Sequence, residues 1–243
     1  DDATGRGAFL CTQELARRRQ LNPENTSVAI QGFGNGGYHA ARLLQDAGYR
    51  IVAISDSKGG IYSPDGFDVA SIFKIKQQSR RVQGVYCDQS VCELVDHDTI
   101  SNDELLALDV DVLIPAALEG VITKQNAASI KAPYIVEIAN GPIMSDADVM
   151  LEKNGTIIIP DVLANAGGVT VSYFEWAQNL QGYQWSLEQV HERLGNVMTS
   201  AFAQIWDLAE EKGLSTRGAA YALALRRIGE AVEAQGTRDY FRQ

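Results

Sequence analysis

The sequence predicts an α/β fold: a doubly wound, mostly parallel sheet with two additional C-terminal helices. Three observations carry that reading. Over the first two-thirds of the 243 residues, short β-branched runs alternate with helical stretches. Several runs are apolar on both faces, as expected of strands covered by helices on each side. One run leads directly into a glycine-rich turn that opens a helix.

The predicted strands are residues 27–31 (SVAIQ), 50–55 (RIVAIS), 110–114 (VDVLI), 134–139 (YIVEIA) and 156–159 (TIII), each bounded by turn residues. A helix over 38–47 places Ala40, Ala41, Leu43, Leu44 and Ala47 on one face, and Gly48 closes it. Residues 68–80 follow a Pro64-Asp65-Gly66 turn and read as helical. Ser145 and Asp148 have the spacing of a capping box for a short helix ending near Gly155, and a further helix begins near Val169. Ser186 and Gln189 form a second such box. From there to Lys212, Leu187, Val190, Leu194, Val197, Met198, Ala201, Ile205 and Leu208 recur at helical spacing. Gly213 breaks that helix, and Ser215 or Thr216 caps another running to Ala234. No repeat or Pro/Ser-rich linker separates these parts. The chain therefore reads as one domain, residues 1–182 forming the core and 183–243 the helices packed on it.

Composition narrows the function. A hydrophobic share of 45% and a charged share of 21% argue against disorder, collagen and coiled coil. The net charge of −10 repels nucleic acid, and Arg17-Arg18-Arg19 and Arg80-Arg81 are too short and isolated to reverse it. No apolar run approaches the ~18 residues of a membrane span, and no basic-then-apolar leader opens the sequence. Cys11, Cys87 and Cys92 lack a CxxC spacing; His39, His97 and His191 are scattered without a metal pattern. The expectation is a cytoplasmic, metal-free protein without membrane or nucleic-acid partners. The first residue is Asp1, so either the start is processed or the chain is a piece of something longer.

Gly32-Phe33-Gly34-Asn35-Gly36-Gly37 fits G-x-G-x-x-G. In a chain with 22 glycines the pattern alone is weak, and its context gives it force. It leaves a predicted strand, opens a helix, and is followed 19 positions after Gly37 by Asp56. Gly32 permits the tight turn, Gly34 lets backbone approach a pyrophosphate, and Gly37 lets helix and strand sit close. The helix N-terminus supplies unpaired N–H groups for the phosphates. The context predicts a Rossmann-type dinucleotide site; the alternative is a glycine-rich βα turn that holds no ligand. Asp56 at the second strand's end can accept hydrogen bonds from the adenosine ribose and would repel the extra phosphate of NADP. Ser57 and Lys58 could bind that phosphate, so NAD and NADP both stay open.

Two later strand ends carry asparagine turns, Ala139-Asn140-Gly141-Pro142 and Ala164-Asn165-Ala166-Gly167-Gly168. Ligands of open α/β sheets lie at the carboxyl ends of strands. Amide side chains there suit a carboxamide or ribose hydroxyls, and asparagine is equally a common turn former.

The segment PDVLANAGGVTVSYFEWAQN (160–179) resembles one shared by glutamate dehydrogenases. DATGRG (2–7), GFGNGG, SDSKGGIYSPDG, DVLIPAALEG and ANGP follow in the same order, and AEEKG and AAYALALRRIGEA resemble that family's C-terminal end. The chain is thus similar throughout to the glutamate/leucine/phenylalanine/valine dehydrogenase superfamily, and to its glutamate branch in particular. The resemblance implies the nicotinamide-binding domain of an enzyme, a homohexamer in full-length form, that oxidatively deaminates L-glutamate to 2-oxoglutarate and ammonia with NAD or NADP. It implies that residues 32–37 hold the pyrophosphate, Asp56 the adenosine ribose, and Ala116 and Ala117 the nucleotide's flank. It further implies that Asn140, Asn165 and Thr4 orient the nicotinamide ribose and ring, while Val169 and Ser172 face substrate. Two positions depart from the family: Gly36, often valine or alanine, and Gly120, often asparagine.

The family's catalytic lysine, in a GGAKGG-like segment, and its aspartate, in a PDxxT-like segment, have no counterpart in these residues. The substrate domain is therefore expected to be missing, and this chain to bind dinucleotide without turning over glutamate and to hold no catalytic residue. Two other readings stay open. One is a stand-alone non-catalytic NAD-binding or sensing module; the other is a branched-chain or aromatic amino-acid dehydrogenase domain.

Overall fold

The computed structural model describes residues 1–79, 81–88, 91–94 and 96–234; Arg80, the last residue of the predicted 68–80 helix, lies outside them. In chain order the strands are β1 (Ser27–Gln31), β2 (Arg50–Asp56), β3 (Gly59–Tyr62), β4 (Val85–Asp88), β5 (Val91–Leu94), β6 (Asp98–Ile100), β7 (Val112–Pro115), β8 (Tyr134–Val136) and β9 (Ile157–Ile159). The helices are α1 (Ala3–Arg19), α2 (Asn35–Asp46), α3 (Val69–Ser79), α4 (Asn102–Leu106), α5 (Ser145–Lys153), α6 (Asp161–Ala164), α7 (Gly167–Gln181), α8 (Leu187–Lys212) and α9 (Thr216–Ala234).

The main sheet has the order β6-β3-β2-β1-β7-β8-β9, and β4 pairs with β5 as a separate hairpin. Strands β2, β1, β7, β8 and β9 run parallel, while β3 and β6 add antiparallel edges. The predicted doubly wound sheet is thus present. Its antiparallel edge is the part that local pattern did not reveal: β3 opens on Gly59-Gly60, and β6 is a short, largely exposed run.

Alternating residues sort onto the two faces. Val28, Ile30, Val112, Ile114, Val136 and Ile159 join a core with α1, α2, α7, α8 and α9. Ala29, Leu113, Ile135 and Ile158 join another with α4 and α5. A register irregularity between Val28 and Ala29 sends both Val52 and Ala53 to the second face.

Helices α8 and α9 contribute to the first core. Leu194, Met198, Phe202 and Ile205 are buried beside Ala8 and Leu15 of α1, and Ala219, Ala220 and Leu223 complete the cluster. The predicted capping box forms: Ser186 Oγ accepts from Gln189 N, and Gln189 Oε1 accepts from Ser186 N. Gly213, at φ 61°, ends α8. Ser215 caps α9 by accepting from Gly218 N at 3.1 Å, which leaves the Thr216 hydroxyl to donate to the Ile158 carbonyl. Of the predicted stripe, Leu187 and Val197 face outward.

The first capping box does not form. Met144 N donates to the Ile122 carbonyl at 2.9 Å, holding residue 144 extended, so it becomes the N-cap and Ser145 is already helical. Strand β8 also stops short of the predicted 134–139, because Ile138 N and Ala139 N both turn to the Pro115 carbonyl of β7. Helices α2 and α7 start earlier than predicted, and both early starts are glycine-rich.

Candidate functional site

The strand order reverses at β1, whose neighbours β2 and β7 are reached by crossovers in opposite directions. The chain leaves β1 at Gly32, with φ +100°, a left-handed conformation that strains any residue with a Cβ. Gly32 N donates to the Ser55 carbonyl at 3.0 Å, and a Cβ on Gly32 would meet the Ala117 Cβ at 2.7 Å. The turn is thereby pinned against β2 and β7 together. Phe33 is buried edge-on against Tyr38 and Phe73. Gly34 is the N-cap of α2, with no atom near its missing Cβ, so its open side faces away from the fold. Asn35 anchors the helix start by donating to the Asp1 carbonyl at 3.0 Å. Gly37 is the closest approach: a Cβ there would lie 2.0 Å from the Gly32 carbonyl oxygen. The first turn of α2 carries no acidic side chain, so its free N–H groups present net positive potential.

Asp56 ends β2 with its carboxylate already engaged. Oδ1 accepts from Lys58 N at 2.8 Å; Oδ2 accepts from Val82 N at 3.2 Å and lies 3.8 Å from Lys76 Nζ. Ser57 is exposed in the following turn. Lys76 comes from α3 and also donates to the Phe33 carbonyl at 2.6 Å, which bridges the glycine loop to Asp56. Burial pushes the Lys76 ammonium below its usual range, against the pull of Asp56. Sequence reasoning missed Lys76, because neither it nor Lys74 in this 11-residue helix stands at a spacing that marks a site.

The other side of the cleft is built from the ends of β7, β8 and β9. Ala116 N donates to the Gln31 carbonyl at 2.7 Å, which holds Ala116 and Ala117 beside Gly32. Asn165 Nδ2 donates to Asn140 Oδ1 at 2.7 Å and to the Ile138 carbonyl at 3.1 Å, so the two predicted asparagines form one unit. The N-terminal end of α1 reaches the same place through close glycine packing. A Cβ on Gly5 would meet Ala40 N of α2 at 2.7 Å, and one on Gly167 would meet the Ala3 carbonyl at 2.2 Å. Thr4 is thereby set beside Gly168. A cavity of about 640 Å³ results, lined among others by Thr4, Ala117, Glu119, Asn140, Asn165 and Val169.

Ser172 stands one turn beyond Gly168, to whose carbonyl its hydroxyl donates at 3.1 Å, and it does not line the cavity. Glu119 does line it and was not singled out from the sequence. Another cavity, of about 410 Å³, lies at the far end of β9 among Gly155, Ile157, Trp206 and Ser215, away from the strands' carboxyl ends. Among the described residues no cluster of histidine, cysteine and carboxylates could hold a metal, and no helix is long and apolar enough to cross a membrane.

A family model described as Glutamate/Leucine/Phenylalanine/Valine dehydrogenase matches residues 1–236. The chain is 51% identical over 239 residues to the NADP-specific glutamate dehydrogenase of Synechocystis, a match covering 98% of this chain and 56% of that protein. It is 40% identical over 236 residues to a cryptic catabolic NAD-specific glutamate dehydrogenase of Bacillus subtilis, covering 97% and 53%. The solved structure of a hetero-hexameric glutamate dehydrogenase from Thermus thermophilus, in its leucine-bound form, aligns with a TM-score of 0.86 at 34% identity, covering 97% of this chain and 53% of that one. The chain spans about half the length of these relatives.

Proposed function

The chain belongs to the glutamate/leucine/phenylalanine/valine dehydrogenase family, and on that premise we propose that it is the dinucleotide-binding half of a glutamate dehydrogenase. The observation that carries the proposal is the convergence, at the reversal point of the sheet, of a phosphate-type glycine turn with the paired amides of Asn140 and Asn165. The open side of Gly34 at the start of α2 fits a pyrophosphate, since backbone N–H groups can approach it without a side chain between.

In this reading Gly32, Phe33, Gly34, Asn35, Gly36 and Gly37 form the phosphate turn, and Ala116 and Ala117 flank the nucleotide. Asp56 accepts from the adenosine ribose. Lys76, together with Ser57, offsets the repulsion that Asp56 would exert on a 2′-phosphate, so NAD and NADP are both admitted. Asn140, Asn165 and Thr4 hold the nicotinamide ribose and carboxamide. Val169 and Ser172 face the substrate; Ser172 must give up its bond to the Gly168 carbonyl to do so. Bound nicotinamide supplies the hydride-accepting ring carbon.

The reaction proposed for the whole enzyme, which we take to be a hexamer, is oxidative deamination of L-glutamate to 2-oxoglutarate and ammonia. The 243 residues by themselves bind the dinucleotide and do not turn over glutamate, because no lysine in them stands in a GGAKGG-like setting. Calorimetric titration with NAD⁺ and NADP⁺, paired with a glutamate-dependent absorbance assay, tests both halves. Failure to bind either dinucleotide removes the first, and measurable turnover removes the second.

A further inference from the structure

Helix α9 sends one long side chain back beneath the cleft. Arg217, in its first turn, places Nη2 2.7 Å from Glu137 Oε1, Nε 3.0 Å from Asp148 Oδ2 and Nη1 3.4 Å from Asp161 Oδ1. A guanidinium in the first turn of a helix opposes the helix dipole, so its position needs another cause. The carboxylates supply one. Glu137 is fully buried at the end of β8 and requires a paired cation or a proton.

Two of the three carboxylates have a second task. Glu137 Oε2 accepts from Asp161 N at 2.8 Å, and Asp161 Oδ2 accepts from Gly141 N at 2.8 Å. From Asp161 the connection runs to both asparagines. Gly141 follows Asn140 directly, while α6 begins at Asp161 and has Asn165 as its C-cap. Asp161 therefore ties the amide pair at both ends: its carboxylate accepts from Gly141 N beside Asn140, and its backbone carbonyl accepts from Asn165 N at 3.1 Å. Arg217 meets that carboxylate, and Glu137 accepts from the Asp161 N–H.

We infer that Arg217 is a positioning residue for the nicotinamide half of the cleft, acting through Glu137 and Asp161 to set the spacing of Asn140 and Asn165. The inference rests on the dinucleotide reading above. Without the guanidinium, a buried glutamate and two aspartates face one another; Asp161 withdraws, and the Asn140–Gly141 turn is released. The glycine turn, Asp56 and Lys76 take no part in this network, so the adenine half keeps its site.

The test titrates the full 243-residue chain with NAD⁺ and NADP⁺, and with ADP-ribose and its 2′-phosphate, which lack nicotinamide. The wild-type chain should bind a complete dinucleotide more tightly than the matching fragment. Arg217→Met should weaken the dinucleotide at least about tenfold and leave the fragment within about twofold. Asp161→Ala should reproduce that selective loss, and adding Arg217→Met to it should cost little more, as expected of residues acting in series. Arg217→Lys, which keeps the charge but cannot span three carboxylates, should fall between. If Arg217→Met does not fold, Arg217→Lys and Asp161→Ala carry the same comparison. Equal losses on dinucleotide and fragment overturn the inference, as do no loss at all and a wild-type chain with no preference for the complete dinucleotide. A wild-type chain that binds neither ligand removes the dinucleotide reading itself.

Discussion

The glycine turn contains three positions where the same substitution, to alanine, should give three different results. At Gly37 the new methyl would lie 2.0 Å from the Gly32 carbonyl oxygen. Carbon–oxygen contacts settle at about 3.3–3.6 Å, so α2 must retreat from β1 by more than about 1 Å. That retreat loosens Ala40, Ala41 and Leu44, all fully buried against the sheet. Overpacking of this kind costs up to about 3 kcal/mol. For a chain of this size that lowers Tm by roughly 6–12 °C. At Gly34 the methyl meets nothing within 4 Å, and the backbone there is extended. Exchanging glycine for alanine at an N-cap costs about 1 kcal/mol or less, or roughly 2–4 °C. If the open side receives a pyrophosphate, however, dinucleotide affinity should fall at least about tenfold. At Gly36 the nearest atom is Ile138 Cγ2 at 3.0 Å, a side-chain methyl that can yield. The better helix propensity of alanine, about 0.8–1.0 kcal/mol, then roughly balances the contact. Differential scanning fluorimetry and calorimetric titration on the three variants separate these outcomes. A Gly34→Ala chain that binds NAD⁺ and NADP⁺ as tightly as wild type would refute the reasoning. So would equal Tm losses at all three positions.

Lys76→Ala should weaken NADP⁺ more than NAD⁺, by about tenfold for the loss of one charge-assisted contact; equal effects in titration would show that Lys76 does not face the 2′-phosphate. We propose that α8 and α9 fold as one unit with the sheet. Phe202→Ala, at a fully buried ring stacked on Trp206, should then cost about 3–5 kcal/mol and shift a single calorimetric transition. Two separated transitions would divide the chain instead. Burial alone would raise the Asp2 carboxyl, but Arg6, 2.6 Å away, holds it below its ordinary 3.8. The folded state thus binds this proton more weakly than the unfolded one. The contribution is complete above the ordinary value and is lost as pH falls below it. Urea midpoints should accordingly drop less between pH 6 and pH 3 in Asp2→Asn than in wild type, and identical drops would rule the contribution out.

What could be read from the sequence was whatever a short window constrains. The sequence predicts Ser27–Gln31 with the bounds it has, because an apolar run entering a glycine turn leaves little freedom at either end. The Ser186 box formed because both partners lie within four residues and no tertiary contact competes for them. The Ser145 box failed for the opposite reason: Ile122, 22 residues earlier than Met144, holds the backbone extended there. The sequence places the starts of α2 and α7 too late because glycine's poor helix propensity argues against starts that close packing in fact requires.

The site divides along the same line. Its backbone half, the turn at residues 32–37, is written locally, since positive φ at Gly32 and the contact at Gly37 admit almost nothing but glycine. Its side-chain half is not. Lys76 reaches Asp56 from 20 residues away, and Arg217 reaches Glu137 from 80. Neither pair leaves a periodic or compositional trace, because a single charged residue on a helix is by default a solvated one. The net charge of −10 is also less of an obstacle to phosphates than it first suggests. In the proposed reading, recognition by backbone N–H groups acts over the first turn of one helix, whereas the excess carboxylates act through solvent and are screened within about 8–10 Å at ordinary ionic strength. Near the turn stand Asp56, engaged by two N–H groups, Lys76, fixed between that carboxylate and the loop, and the exposed Lys58. In the proposed reading the local balance rests on Lys76 and the exposed Lys58, of which the sequence marks only Lys58, and preference between NAD and NADP should follow these two more closely than the overall charge.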